Sequence, residues 1–251
     1  MQPIERGNIR LAATVLLLRD VGAGMEVFML KRPGGVDFPD LHVFPGGKVD
    51  QEDHIDPLCD GLDDVHASAL LGLSGGGIRY WVAAVRECFE ECGVLLARRD
   101  GELVRLDEAG ERERFEGYRE AVISGELPFV QMCRDEGLTI ACDKVMYFSH
   151  WLTPEMAPRR FDTRFFCAAM PEGQQTLAHH WETADSDWIV PGEALARLDR
   201  GEWQMIHPTF TSLKSLLPYS TAQETMSAVR AEAHLPELTD KLRSEGMQDL
   251  R

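Results

Sequence analysis

Two stretches near the start of the chain, residues 10–19 and 25–32, are apolar and rich in branched side chains. Between them Val21-Gly22-Ala23-Gly24 has turn chemistry, so the pair reads as a β-hairpin. A loop rich in Gly, Pro and Asp follows over 33–40. A short strand at 41–44 then runs into Pro45-Gly46-Gly47, where a glycine pair lets backbone approach a ligand closely. Residues 54–77 change character, with a middle able to form a short helix and a flexible Ser74-Gly75-Gly76-Gly77 end, and are read as an insertion. Over 78–98 the apolar residues Trp81, Val82, Val85, Phe89 and Val94 recur at helical spacing, which predicts a helix with one face on a sheet. Helices are expected at 107–124 and 127–136, covering an edge or closing over a site. Strands are expected at 144–152, 164–170 and 185–190, then helices from Pro191 onward, broken at Pro208 and Pro218. Strands and helices alternate without a regular βαβ rhythm and without an internal repeat, as in an α/β chain whose mixed sheet has helices on both faces.

Composition narrows the function classes without choosing among the rest. The 251 residues, 44% of them hydrophobic, can bury one elaborated core. The expected organisation is a single domain over 1–251, with the insertion at about 54–77 and a C-terminal helical region at about 191–251. With 42 acidic against 26 basic residues the formal charge is −16, which repels nucleic acid polymers and anionic membrane surfaces. Such an excess suits either an ordinary soluble surface or a protein that gathers divalent cations. The cysteines at 59, 88, 92, 133, 142 and 167 form no CxxC pair and no Cys/His cluster with zinc spacing, so free thiols in a reducing cytoplasm are expected. The longest early apolar run, Leu11 to Leu18, is far shorter than the ~20 residues of a membrane helix. A cytoplasmic location follows as the expectation, with a homodimer left open.

The segment that carries chemistry is Arg86-Glu87-Cys88-Phe89-Glu90-Glu91-Cys92-Gly93-Val94. On a helix, residues three and four apart share a face, so Glu87, Glu90 and Glu91 bring three carboxylates together. Each like-charge pair costs about 0.2–0.5 kcal/mol on an exposed helix, and a cation would offset it. Mg2+ is the natural candidate, being hard, oxygen-seeking and usually shared between a few carboxylates and phosphate oxygens. Arg86, four before Glu90, can orient a carboxylate by a two-pronged contact. Taken alone the glutamates describe a solvated charged face rather than a site. The upstream segment Phe44-Pro45-Gly46-Gly47-Lys48-Val49-Asp50-Gln51-Glu52-Asp53 changes that, because it adds a strand end and glycine turn that could face a metal and phosphates.

Together the two segments resemble the halves of the Nudix box, Gly-x5-Glu-x7-Arg-Glu-U-x-Glu-Glu-x-Gly-U with U a bulky apolar residue. Gly47 matches the first glycine, Arg86-Glu87 the central pair, Glu90-Glu91 the metal-binding pair and Gly93-Val94 the end, with Cys88 at the apolar position. Two departures stand out. Asp53 replaces the first glutamate, and 32 residues rather than seven separate it from Arg86. A surface loop absorbs such an insertion at modest entropic cost. The pattern Phe-Pro-Gly-Gly-x-x-Asp-x-x-Asp is similar to the coenzyme A diphosphatase branch, and an acyl-coenzyme A branch carries a long insertion at this place.

The resemblance implies an α/β/α sandwich around a mixed sheet, a Mg2+ (or Mn2+) cofactor, and attack of a metal-activated water on a small-molecule diphosphate. It implies Glu90 and Glu91 as metal ligands, Glu87 as a third ligand or the base, and the Gly46 backbone beside them. Gly46, Gly47 and Lys48 would face the substrate, with Arg32 standing in for that branch's arginine. The base in this family can also come from a distant loop, where Glu182 is the candidate. On a strand Arg160, Asp162 and Arg164 point one way, either binding phosphates through the two arginines or forming an internal Arg164–Asp162 ion pair. His179 and His180 would point to opposite faces of a strand, which argues against a shared transition metal. Cys88 and Cys92 read as packing residues beside the metal face. Coenzyme A or acyl-coenzyme A leads as substrate; ADP-ribose, dinucleotides and nucleotide sugars form a second reading, and a non-catalytic nucleotide sensor a third.

Overall fold

A computed structural model of the chain describes residues 4–22, 24–32, 40–54, 56–157, 159–177 and 185–234. The predicted hairpin forms: β1 (Glu5–Arg6) leads into β2 (Ile9–Val21), which turns back as β3 (Gly24–Lys31), with Leu18 opposite Val27 and Val21 opposite Gly24. Next come β4 (His42–Val43), β5 (Gly46–Lys48), β6 (Cys59–Asp60), α1 (Asp64–Leu70), α2 (Ile78–Cys92), β7 (Ala97–Arg99) and β8 (Glu102–Leu103). The rest is α3 (Ala109–Ser124), α4 (Phe129–Asp135), β9 (Leu138–Ala141), β10 (Val145–Leu152), β11 (Arg160–Ala169), β12 (Asp185–Ile189), α5 (Pro191–Asp199), α6 (His207–Leu216) and α7 (Ala222–Arg230).

The main sheet runs β10-β11-β2-β3-β12, with β11 parallel to β2 and the neighbouring pairs antiparallel. β4 pairs with β3 and β5 with β2, Ala13 lying opposite Gly47. Because β2 is central, both of its faces are covered, which is why it reads as a continuous apolar run. Leu11, Ala13, Val15 and Leu17 join the core under α2 with Trp81, Val85 and Phe89. Leu16 and Leu18 join the opposite layer with Leu213 and Val229 of α6 and α7. The result is the expected α/β/α sandwich with a mixed sheet. Trp81 fixes α2 on the sheet: its indole donates to the Val145 carbonyl at 2.7 Å and its ring lies 4.7 Å from that of Phe166.

Several predicted boundaries are corrected. The helix expected over 78–98 stops at Cys92, because Gly93 adopts the left-handed conformation (φ 71°) and its N–H closes the helix on Phe89 O at 3.0 Å. The apolar Val94-Leu95-Leu96 run that prolonged the helical pattern is buried coil leading into β7. The insertion is more than a helix in a loop. Its β6 pairs in parallel with β9, giving a second sheet, β6-β9-β7-β8. The strand expected from residue 164 begins at Arg160. Pro208 lies in the first turn of α6, where a missing N–H is harmless, so it opens that helix and the break precedes it. Among the described residues no helix is long and apolar enough to cross a membrane, and the six cysteines are free thiols.

Candidate active site

The site forms where β5 meets α2. A Cβ on Gly46 would lie 2.5 Å from the Ala13 carbonyl and 2.6 Å from Thr14 Oγ1, so only glycine lets β5 press this closely on β2. A Cβ on Gly47 would lie 2.5 Å from both carboxylate oxygens of Glu87. The missing side chain is the space that the carboxylate occupies. One residue earlier, the Gly46 N–H donates to Glu91 Oε2 at 2.6 Å. The glycine pair thus receives two of the three helix glutamates.

Arg86 organises the rest. Its side chain is buried, and its guanidinium grips Asp53 with two prongs, Nε to Oδ1 at 2.9 Å and Nη2 to Oδ2 at 3.1 Å. Nη2 also donates to the Lys48 carbonyl at 2.8 Å, and Nη1 donates to Glu87 Oε1 at 2.9 Å and Glu90 Oε1 at 3.1 Å. Asp50 Oδ2 stands 3.8 Å away, and the Asp50 N–H donates to Asp53 Oδ2 at 2.7 Å. Asp53, 1% exposed, therefore does its work through Arg86. The shorter acid in place of the box's first glutamate still closes the two halves, with the insertion leaving and returning between them. Burial alone would push the Arg86 pKa down, but Glu87 and Asp53 outweigh it and hold it well above the ordinary arginine value. For Asp50 burial wins over the pull of Arg86, and its pKa is raised.

Glu87, Glu90, Glu91 and the Gly46 backbone are hard oxygen donors of the kind Mg2+ or Mn2+ takes, so the donor chemistry fits such an ion. As they stand, Glu87 and Glu90 lean on Arg86 and Glu91 on the Gly46 N–H. Among the described residues no three His, Cys, Asp or Glu side chains are already gathered as an ion cage. An ion would have to share the carboxylates with these partners.

The other predicted residues are placed as follows. Arg32 lies just past β3, half-buried, its backbone N–H donating to Leu41 O at 2.9 Å. Lys48 is exposed at the end of β5. Arg160 is half-buried, with Nε on the Thr153 carbonyl at 3.1 Å. Arg164 is buried: Nε is 3.4 Å from Asp162 Oδ1, Nη1 donates to the Tyr147 hydroxyl at 3.4 Å, and the guanidinium stands 5.8 Å from the Tyr80 ring centroid. Asp162 also meets His150 Nε2 at 2.8 Å. Arg164 and Asp162 therefore form the internal ion pair, inside the fold rather than on its surface. Cys88 and Cys92 have their sulfurs 3.4 Å apart and fully buried, and their mutual hydrogen bond and burial push the Cys88 thiol up, as packing residues require. Glu182, His179 and His180 lie outside the described residues.

Two supports of α2 are absent from the sequence reading. At its N-terminus Gly77 offers no capping side chain; instead Asp64 of α1 accepts from Gly76 N (2.9 Å) and Ile78 N (3.0 Å), and Ser68 Oγ accepts from Gly77 N (2.9 Å). At its C-terminus Arg119 of α3 donates from Nε to the Glu90 carbonyl at 2.9 Å. Asp64 sits ahead of a glycine run and Arg119 in a polar helix, so neither carries a local motif.

Against known proteins, the NUDT19 Nudix domain model matches residues 75–216, which include α2 and its glutamates. A Xenopus laevis protein named acyl-coenzyme A diphosphatase NUDT19 is 26% identical over 234 residues, 79% of this chain and 61% of that protein. A Caenorhabditis elegans protein named putative nudix hydrolase 7 is 27% identical over 76% of this chain and 55% of its own length. The chain thus spans less than two thirds of the length of these relatives. The crystal structure of a Nudix hydrolase from Alicyclobacillus acidocaldarius superposes with a TM-score of 0.67 at 27% identity, over 87% of this chain and 96% of that one. With a family model matching more than half of its residues across the glutamate helix, the chain belongs to the Nudix hydrolases, in the group defined by the NUDT19 Nudix domain.

Proposed function

We propose that the protein hydrolyses a diphosphate bond in a nucleoside-diphosphate-linked small molecule, with Mg2+ or Mn2+ as cofactor and coenzyme A or acyl-coenzyme A as substrate. The observation that carries this reading is the buried Arg86, which ties Asp53 to Glu87 and Glu90 while Glu87 fills the space left by Gly47. In the reaction a water oxygen forms a new bond to one phosphorus, the bridging P–O bond breaks, its electrons stay on the departing phosphate, and the water gives up a proton. A divalent ion, when bound, lowers the pKa of such a water and neutralises phosphate charge. Glu87, Glu90 and Glu91 with the Gly46 backbone would hold the ion; Arg86 keeps Glu87 and Glu90 in place. Glu182, or Glu87 if it is not a ligand, would take the proton. Arg32, Gly47, Lys48 and Arg160 would contact substrate, whereas Arg164, committed to Asp162, is better read as support. The named activity of the Xenopus laevis relative favours the acyl-coenzyme A assignment.

The test is to incubate the protein with Mg2+ and a panel of diphosphates and to identify the products by mass. Coenzyme A or an acyl derivative should yield adenosine 3',5'-bisphosphate and the phosphopantetheine product, with a higher kcat/KM than ADP-ribose, since that ratio weighs transition-state binding. A preference for ADP-ribose by about tenfold or more would overturn the substrate assignment.

A further inference from the structure

We infer that Arg119 is a positioning residue for the metal site, acting through the backbone of Glu90; this rests on the hydrolase reading above. Arg119 stands in the last turns of α3, is 6% exposed, and crosses to α2 to donate from Nε to the Glu90 carbonyl at 2.9 Å. That carbonyl belongs to the final turn of α2, whose last C=O groups lack partners within the helix and carry its negative dipole end. A buried cation there is favourable and directional, because a planar guanidinium fixes the direction of its N–H bonds. The same guanidinium stands beside Gly93: a Cβ on that glycine would lie 3.4 Å from Arg119 Nη1. Arg119 therefore sets where the backbone between Glu90 and Gly93 lies, and with it where Glu90 and Glu91 emerge. Arg86 fixes the Glu90 side chain from one side of the helix; Arg119 fixes its main chain from another.

Groups that orient metal ligands typically change metal affinity or activity by about 10–100-fold when removed. The experiment compares wild type, Arg119→Lys, Arg119→Met and Arg112→Lys, the last being a neighbouring α3 arginine that hydrogen-bonds the Leu106 and Asp107 carbonyls instead. Each is titrated with Mg2+, following both melting temperature and turnover of acyl-coenzyme A. Arg119→Lys and Arg119→Met should need at least about tenfold more Mg2+ for half of the melting shift, with kcat lowered and KM nearly unchanged, while Arg112→Lys follows wild type. If Arg119→Met does not fold, Arg119→Lys carries the comparison. If both Arg119 variants merely melt lower, with wild-type Mg2+ midpoints and kcat, Arg119 is only scaffold and the inference fails. If wild type itself shows no Mg2+ response, the hydrolase reading fails and takes the inference with it.

Discussion

At the scale of single residues, the two glycines of β5 separate folding from chemistry. The Cβ of Gly46→Ala would meet the backbone of Ala13 and Thr14, which cannot move without opening the β2–β5 pair. Forcing such a contact typically costs about 1–3 kcal/mol, or several degrees of melting temperature in a chain of this size. Gly47→Ala meets instead the end of the Glu87 side chain, which can swing aside. It should melt close to wild type and lose most of its turnover, because Glu87 is pushed from its place beside Arg86. Thermal melts and kcat measured on both variants check this, and a Gly47→Ala protein as active as wild type would contradict the role of that contact. Replacing Glu90 or Glu91 by Gln should lower kcat by at least about a hundredfold with the fold retained, the scale of losing a positioned electrostatic group. Spacing puts Glu87, Glu90 and Glu91 on one helix face, and the upstream glycine turn with the resemblance to the Nudix box is what made them legible as a site. The work of Asp53 was not legible, since its partner Arg86 lies 33 positions away and only the fold brings them together.

At the scale of elements, the main sheet could be read from the sequence and the second sheet could not. The strands β2 and β3 announce themselves by branched apolar runs, and β10 and the second half of β11 by aromatic and other apolar residues. β6 has two residues and β8 two, too short for any period, and β6 gains its meaning only from pairing with β9 some eighty residues later. Gly93 ends α2 as a left-handed C-cap, a signal hidden in the sequence by the apolar residues after it, which continue the helical pattern. The insertion matters to the site because its Asp64 caps α2. Burial pushes the Asp64 pKa up, but hydrogen bonds from Ile78 N and Gly76 N outweigh this and hold it below the ordinary 3.8. A carboxyl whose pKa is lowered by folding contributes stability above its unfolded value and loses it as pH falls through the lowered one. Asp64→Ala should therefore destabilise by about 0.5–2 kcal/mol at pH 7, the usual worth of a cap. The charge-dependent part, read as the gap between wild type and Asp64→Asn, should close as pH drops below 3.8. Denaturant melts of the three proteins between pH 7 and 3 measure it; a gap that widens on acidification would mean that Asp64 does not cap α2.

At the scale of the whole molecule, the proposed activity asks a chain of formal charge −16 to admit a substrate that is itself a polyanion. Around the site the imbalance persists, with Asp50, Asp53, Glu87 and Glu90 grouped about the guanidinium of Arg86 and Glu91 held by the Gly46 N–H. A bound divalent cation would make the last few ångströms favourable, but over longer distances such a substrate would meet the field of the entire surface. Charges separated by more than a Debye length are screened, and that length falls from about 30 Å at 0.01 M salt to about 8 Å at 0.15 M. Salt should therefore help: at saturating Mg2+, kcat/KM for coenzyme A should rise severalfold between these ionic strengths, as repulsion that opposes encounter is removed. Most enzymes acting on phosphates through basic clefts would show the reverse. ADP-ribose, which lacks the 3'-phosphate and carries less charge, should respond more weakly, so the ratio of the two slopes separates substrate charge from any effect of salt on the protein. A kcat/KM for coenzyme A that falls with salt would mean that local cations such as Lys48, Arg32 and Arg160 govern approach, and that the acidic surface is too distant from the entrance to be felt.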